Sequence, residues 1–302
     1  MSSAVSSRWL KCISTEGTIR GVAIQATELV RSMVEMHQLQ GAGARALGEA
    51  VIGALLIASY CKDKERINLN IRGSKGIFQA LVDAYPDGTV RGYIVEKSIE
   101  LPDDGIVFED PRQGPWGEGM LSVLRTKTQE REQPYIGTVP LVTGHLAKDL
   151  TFYWMQSEQV PSSVGIAVEM KDDQVVAAGG FLVQAMPGAS EKEVKLIDDH
   201  IHEMHSLAEQ LATNSDPLVI LSKIFQDTAF VLLEEKPLEF KCTCSWERVR
   251  KALTLVGTAE LSAMLNEDHS ASVRCDFCTK EYRADEDELK KLIAEARERE
   301  GG

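Results

Sequence analysis

The chain has 302 residues, more than one hydrophobic core usually fills, so two domains, or one large and one small, are expected. With 43% hydrophobic and 26% charged residues, its composition is that of an ordinary globular protein. The formal net charge is −13, and no segment is net basic: residues 1–188 carry 18 basic and 22 acidic side chains, 189–237 carry 4 and 10, and 238–302 carry 11 and 14. That balance speaks against a protein whose main task is to grip nucleic acid or an anionic membrane.

From the N-terminus, "MSSAVSSRWLK" has no apolar stretch of signal-peptide length, and a cytoplasmic location is expected. Helices are predicted over Thr27 to His37 and through the alanine-rich stretch to Cys61. "GAGARALGEAVIGALLIASYC" is the most membrane-like segment, but Arg45 and Glu49 interrupt it and the run from Ala50 to Tyr60 is too short to cross a bilayer. It reads as a buried core helix. "RINLNIRG" alternates Ile67, Leu69 and Ile71 on one face, and "FQALVDAYPDGTVRGYIV" is two strand-like runs around the turn residues Pro86, Asp87 and Gly88. Further strands are predicted around Ile106–Phe108, Leu121–Arg125, Val164–Glu169 and Phe181–Gln184, with a helix around Asp149–Gln156. Strands in clusters with helices between the clusters favour an α+β domain over residues 1–188.

At "MPGASEKEV" the pattern changes. Pro187 and Gly188 break the preceding strand, Ser190 and Glu193 have capping-box spacing, and Val194, Ile197, Ile201, Met204, Leu207 or Ala208, and Leu211 form one apolar stripe of an amphipathic helix. A second helix is predicted from Asp216, with Pro217 in its first turn and Leu218, Leu221, Ile224 and Phe225 on its apolar face. Neither helix buries that stripe alone, so residues 189–237 are expected to be a marginal, acidic helical linker lying on another surface. Pro237 marks the start of a small last domain, residues 238–302.

That last domain carries the chemistry. "FKCTCSWERVRK" places Cys242 and Cys244 one residue apart, and "VRCDFCTKEY" places Cys275 and Cys278 two residues apart, with thirty residues between the pairs. Four sparse cysteines clustered in close pairs read as a metal or redox site, and a tetrahedral Cys₄ set is what zinc favours in structural modules. The second pair lies between the strand-like "SVRC" and "KEYR", as in a zinc knuckle, and Ser245 to Val256 reads as a helix leaving the first pair. A core of this size contributes about 3–5 kcal/mol, whereas a structural zinc contributes roughly 10–16 kcal/mol of apparent binding energy that is also folding energy. Oxidation turns thiolate ligands into disulfide sulfurs, so the site is in principle a redox-controlled folding switch.

Other features are weaker. "HIHEMH" (His200, His202, His205) lacks H-E-x-x-H spacing and reads as exposed helix histidines; "GAGARALG" fits neither a dinucleotide loop nor a phosphate loop. Cys12 and Cys61 stand alone and read as small buried hydrophobes. No catalytic arrangement is evident, and the chain is read as a non-enzyme.

With those residues in view, the chain resembles the redox-regulated holdase chaperones of 33 kDa, a heat-shock family. The resemblance rests on "EFKCTCSWERV" and "CDFC" at their interval, on "YWMQSEQVPSSVGIAV" and "AAGGFLVQAMPGA", and on "QPYIGTV", and it spans nearly the whole chain. It implies an ATP-independent chaperone that binds unfolding proteins and prevents their aggregation. In the reduced state Cys242, Cys244, Cys275 and Cys278 would hold one zinc ion per chain in an inactive monomer. Four cysteines allow three pairings; the resemblance selects Cys242–Cys244 and Cys275–Cys278. Their formation would release the metal, unfold the last domain, loosen the linker and expose apolar surface for clients and homodimerisation.

Two rivals differ in class. A constitutive zinc-ribbon interaction module predicts a basic, aromatic surround, which the 11 basic and 14 acidic groups of residues 238–302 do not provide. A dithiol oxidoreductase wants its C-x-x-C at a helix N-terminus within a βαβ unit, whereas Cys275 follows a strand.

Overall fold

The computed structural model describes residues 7–74, 77–96, 116–127, 134–204, 206–214 and 216–300. The chain divides into two compact units, Met1–Lys241 and Cys242–Gly302.

In the first unit, β1 (Arg8–Ser14) and β2 (Ile19–Gln25) form a hairpin, followed by α1 (Thr27–His37) and α2 (Gly41–Ala58). Strands β3 (Glu65–Gly73), β4 (Ile77–Ala84), β5 (Thr89–Glu96), β6 (Gly119–Lys127) and β7 (Tyr135–Pro140) come next. Helix α3 (Leu146–Tyr153) runs into a π-helical turn at Trp154–Glu158 and leads to β8 (Ser162–Lys171) and β9 (Gln174–Ala185). Three short helices, α4 (Glu191–Glu203), α5 (Leu207–Thr213) and α6 (Pro217–Ile224), precede β10 (Phe230–Pro237) and β11 (Glu239–Phe240).

The strands make two sheets, ordered β10-β1-β2-β9-β8 and β11-β5-β4-β3-β6-β7. Every pair is antiparallel except β11 with β5, so the architecture is α+β, as expected. Helix α2 touches β8 and β9 of one sheet and β3, β4 and β5 of the other. Fourteen of its 18 residues are buried, which explains an almost wholly apolar helix without invoking a bilayer. Among the described residues it is the one helix long and apolar enough to cross a membrane.

The first sheet is covered on both faces, and the period of two along its strands sorts the side chains. Val22, Ile24 and Leu182 face the α2 core; Leu10, Cys12, Ile19, Ala23, Phe181 and Val183 face α4, α5 and α6. The helices approach closely because two strand positions lack a side chain. A Cβ on Gly21 would lie 2.9 Å from the Phe225 ring, and one on Gly179 would lie 2.7 Å from Leu211. Thr18 Oγ1 donates to Glu193 at 2.7 Å, and Arg8 pairs with Asp216 at 3.2 Å, fastening the helices at their polar margin.

Three sequence expectations change here. The stripe from Val194 to Leu211 is two helices, not one: Met204 leaves helical geometry (φ −69°, ψ 101°), and Ser206 caps α5 by accepting from the Glu209 N–H. Residues 189–237 belong to the first unit, since β10 completes its first sheet beside β1. Leu238 and Phe240 join the main core, so the division falls between Lys241 and Cys242 rather than after Pro237. His200 is buried rather than exposed, with Nδ1 3.0 Å from the Ile224 carbonyl and Nε2 3.3 Å from Asp227, whereas His202 is exposed. His205, the strand at Ile106–Phe108 and Gln133 of "QPYIGTV" lie outside the described residues.

The second unit holds α7 (Trp246–Val256), α8 (Thr258–Glu267), the hairpin β12 (Ala271–Arg274) with β13 (Glu281–Ala284), and α9 (Glu286–Glu300). Its buried cluster is ten residues, dominated by Leu253, Leu261, Tyr282, Leu289, Leu292 and Ile293. The α9 contribution, Leu289, Leu292, Ile293 and Ala296, follows the i, i+3, i+4, i+7 spacing of one helical face.

Candidate metal centre

Two arms bring the four cysteines together. On the first, Cys242–Thr243–Cys244 leads into the extended Ser245, whose hydroxyl caps α7 by accepting from the Arg248 N–H, while the Arg248 guanidinium donates to Thr243 at 2.8 Å. The positive end of the α7 dipole therefore lies just beyond Cys244. On the second arm, the chain reverses between β12 and β13: Cys275 N–H donates to Lys280 O at 2.9 Å and Thr279 N–H to Cys275 O at 2.8 Å, with Thr279 in the left-handed region (φ 59°). Backbone N–H groups of this turn point at sulfur, those of Cys278 and Phe277 at Cys275 and that of Lys280 at Cys278.

All four are free thiols, and their sulfurs lie within 4.8 Å of one another. Across the arms, Cys242 Sγ is 3.8 Å from Cys275 Sγ, and Cys244 Sγ is 3.4 Å from Cys278 Sγ. A zinc–sulfur bond of about 2.3 Å in tetrahedral geometry requires a sulfur–sulfur edge of about 3.8 Å, so the donor set and its spacing fit that ion.

The electrostatics favour the same occupant. The Cys244 thiol is lowered to about 7: burial opposes its ionisation, but hydrogen bonds from Tyr282 and the neighbouring thiols outweigh it. Cys278 is pushed up to about 12, by burial first and then by the same crowded sulfurs, and Cys275 is raised, with burial again the largest cause. One thiolate forms readily here and the next ones resist, burial being the larger cause and the crowded sulfurs the smaller. A divalent cation would offset both by favouring anionic sulfur.

Tyr282 on β13 was not singled out by the sequence. Its hydroxyl donates to Cys244 Sγ at 3.1 Å, and the only hint was an aromatic four positions beyond Cys278. The stripe residues belong to the first unit and the cysteines to the second. Ile197 and Leu211 are buried on the first sheet, Ile201, Met204 and Leu207 are half-buried beside them, and Val194 remains 37% exposed. Cys12 and Cys61 are solitary thiols that burial pushes up to about 12 each, which suits packing rather than reactivity.

Comparison with known proteins agrees with this layout. A chaperonin of 33 kDa from Levilactobacillus brevis is 35% identical over 289 residues, covering 95% of this chain and 97% of that protein. The corresponding protein of Shouchella clausii is 35% identical over 290 residues, covering 95% and 97%. The crystal structure of the 33 kDa chaperonin (heat shock protein 33 homolog) of Thermotoga maritima superposes with a TM-score of 0.86 at 29% identity, covering 97% of this chain and all of that one. The family model described as Hsp33 protein matches residues 7–285, a span that contains both sheets, α4 to α6 and all four clustered cysteines, and the chain belongs to the Hsp33 family.

Proposed function

We propose that this chain is an ATP-independent, cytoplasmic holdase chaperone that binds unfolding proteins and is switched by oxidation. In this reading it is an inactive monomer while Cys242, Cys244, Cys275 and Cys278 hold one zinc ion. It becomes active, and dimerises, once those sulfurs form Cys242–Cys244 and Cys275–Cys278. The observation that carries the reading is the convergence of four free thiols in a unit whose buried cluster is only ten residues. A two-stranded hairpin and three short helices with so little core depend on what joins the arms.

Bound zinc would keep the four sulfurs anionic and clasp the arms. Anionic sulfur attacks peroxide or hypochlorous acid, and the resulting sulfenic acid is captured by the second cysteine of its own arm. The approaches of 3.8 and 3.4 Å run between arms, whereas the proposed disulfides lie within each arm. Oxidation therefore replaces links across the unit with links that hold nothing together.

The client surface in this reading is the outer face of the first sheet. Leu10, Ile19, Phe181 and Val183, now under Ile197, Leu211 and Phe225, become accessible when α4 to α6 loosen. Those helices belong to residues 189–237, which carry 4 basic and 10 acidic side chains, and the unit that contains them ends at Lys241, immediately before Cys242. Marginal elements of this kind open at a small fraction of the global free energy.

The test is light scattering of a thermally unfolding client with the chain reduced and zinc-loaded, then oxidised, with metal release followed by a chromophoric chelator. Suppression only after oxidation, with about one zinc freed per chain, is the expected result. Release with no gain in suppression would leave a constitutive zinc-ribbon interaction module.

A further inference from the structure

Cys275 and Cys278 receive backbone N–H groups from their own turn, whereas Cys244 receives a donor from the opposite arm, the Tyr282 hydroxyl at 3.1 Å. Two side chains contact the ring that carries this hydroxyl. Trp246, the first residue of α7, stacks on it with centroids 6.1 Å apart and planes 16° from parallel, and the Lys280 ammonium lies 4.9 Å from its centroid. Tyr282 is 8% exposed. Phenylalanine would make the same ring contacts with Trp246 and Lys280, so packing alone does not call for the oxygen. Its position is explained by what it touches.

We propose that Tyr282 is a positioning residue of the cysteine cluster, whose hydrogen bond to Cys244 Sγ restrains that sulfur and slows its oxidation. The inference rests on the zinc-thiolate reading above. An O–H···S⁻ bond draws on the lone pairs that a thiolate uses as a nucleophile, and such outer partners tune metal-bound ligands strongly. The step it restrains is a two-electron oxidation. The Cys244 thiolate attacks a peroxide, a sulfur–oxygen bond forms as the oxygen–oxygen bond breaks, and hydroxide leaves and is protonated to water. Without the hydroxyl, Cys244 attacks sooner.

The test uses the full chain and Tyr282→Phe. Metal content of the wild-type protein is measured first, since a chain without zinc would refute the underlying reading and not this one in particular. With one zinc per chain in both proteins, peroxide-driven metal release is followed by stopped flow, beside release to the chelator alone, and the thiolate-to-cobalt charge-transfer band is recorded after replacing zinc by cobalt. The expected result is peroxide-driven release about three- to tenfold faster in Tyr282→Phe, an unaltered rate to the chelator alone, and a charge-transfer band moved to longer wavelength. A purely structural role would not move that band. An unchanged peroxide rate would overturn the proposal, as would equal acceleration in both kinds of release, or a variant that no longer binds one zinc.

Discussion

Trp9, Trp116 and Tyr153 are fully buried in the first unit, within a core that runs from both sheets through every turn of α2. In the second unit the largest buried side chain is Tyr282, and the cluster around it is ten residues. The first unit is stabilised by apolar area, distributed over dozens of side chains, and no single chemical event removes it. In our account the second is stabilised by four sulfurs and an ion, and an oxidant removes that at one place. A protein that must change state on a chemical signal needs one region of each kind.

The comparison breaks most sharply if the metal is withdrawn. Cys275→Ser, or exhaustive chelation of the reduced chain, should unfold residues 242–300, forfeiting roughly 10–16 kcal/mol of apparent binding energy, while β1 to β9 keep their structure. Hydrogen exchange read by mass spectrometry separates the two. Protection retained by β12 and β13 without metal would place the second unit's stability in its apolar cluster instead.

A smaller effect is expected where α6 meets the first sheet. Phe225→Ala empties the seat over Gly21 and should cost about 3–5 kcal/mol, seen as faster exchange over α4 to α6. Gly21→Ala pushes on the same ring from below and should cost about 1–3 kcal/mol, with the same segment affected. If either change left α4 to α6 as protected as before, the seat would not be what holds them.

The smallest effect concerns the start of α4. Glu193 is held down at about 2 by hydrogen bonds from the Ser190 side chain, the Ser190 backbone and Thr18. Its carboxylate is favoured in the folded state, so its contribution is complete above the ordinary value of 4.5 and lost as the pH falls toward 2. Ser190→Ala should weaken α4 by about 1 kcal/mol at neutral pH and flatten that acid dependence, measurable by exchange of the α4 amides. An unaltered acid profile would show that the cap does not fasten the helix.

Much of this was legible in the sequence, for reasons that differ by residue. C-x-C and C-x-x-C spacing keeps each pair within a few ångströms by chain geometry alone, while the closest approaches, Cys242 to Cys275 and Cys244 to Cys278, run between the pairs. The alternation of Ile67, Leu69 and Ile71 shows a strand buried on one face, and they are buried in β3. The break at Met204 was hidden by a stripe whose period ran on through it, although Ser206 and Glu209 carried the signal of a second helix start. Strand β10 was missed because "FVLL" next to "EEKP" lacks alternation: Val231, Leu232 and Leu233 are all exposed on an edge strand that is bulged beside β1. His200 was misjudged because its neighbours are polar. Its ring nitrogen is partnered by the Ile224 carbonyl, 24 residues away, and no local pattern reports that. Tyr282 likewise owes its importance to a contact 38 residues back in the chain.

The central claim is that chemistry at four sulfurs in one unit releases helices in the other. Hydrogen exchange over residues 191–224, compared between the reduced zinc-loaded chain and the fully oxidised chain, tests it directly. The account predicts that α4, α5 and α6 lose protection together with residues 242–300 while β3 to β7 retain theirs. Loss confined to residues 242–300, with α4 to α6 still protected and clients nevertheless bound, would contradict it.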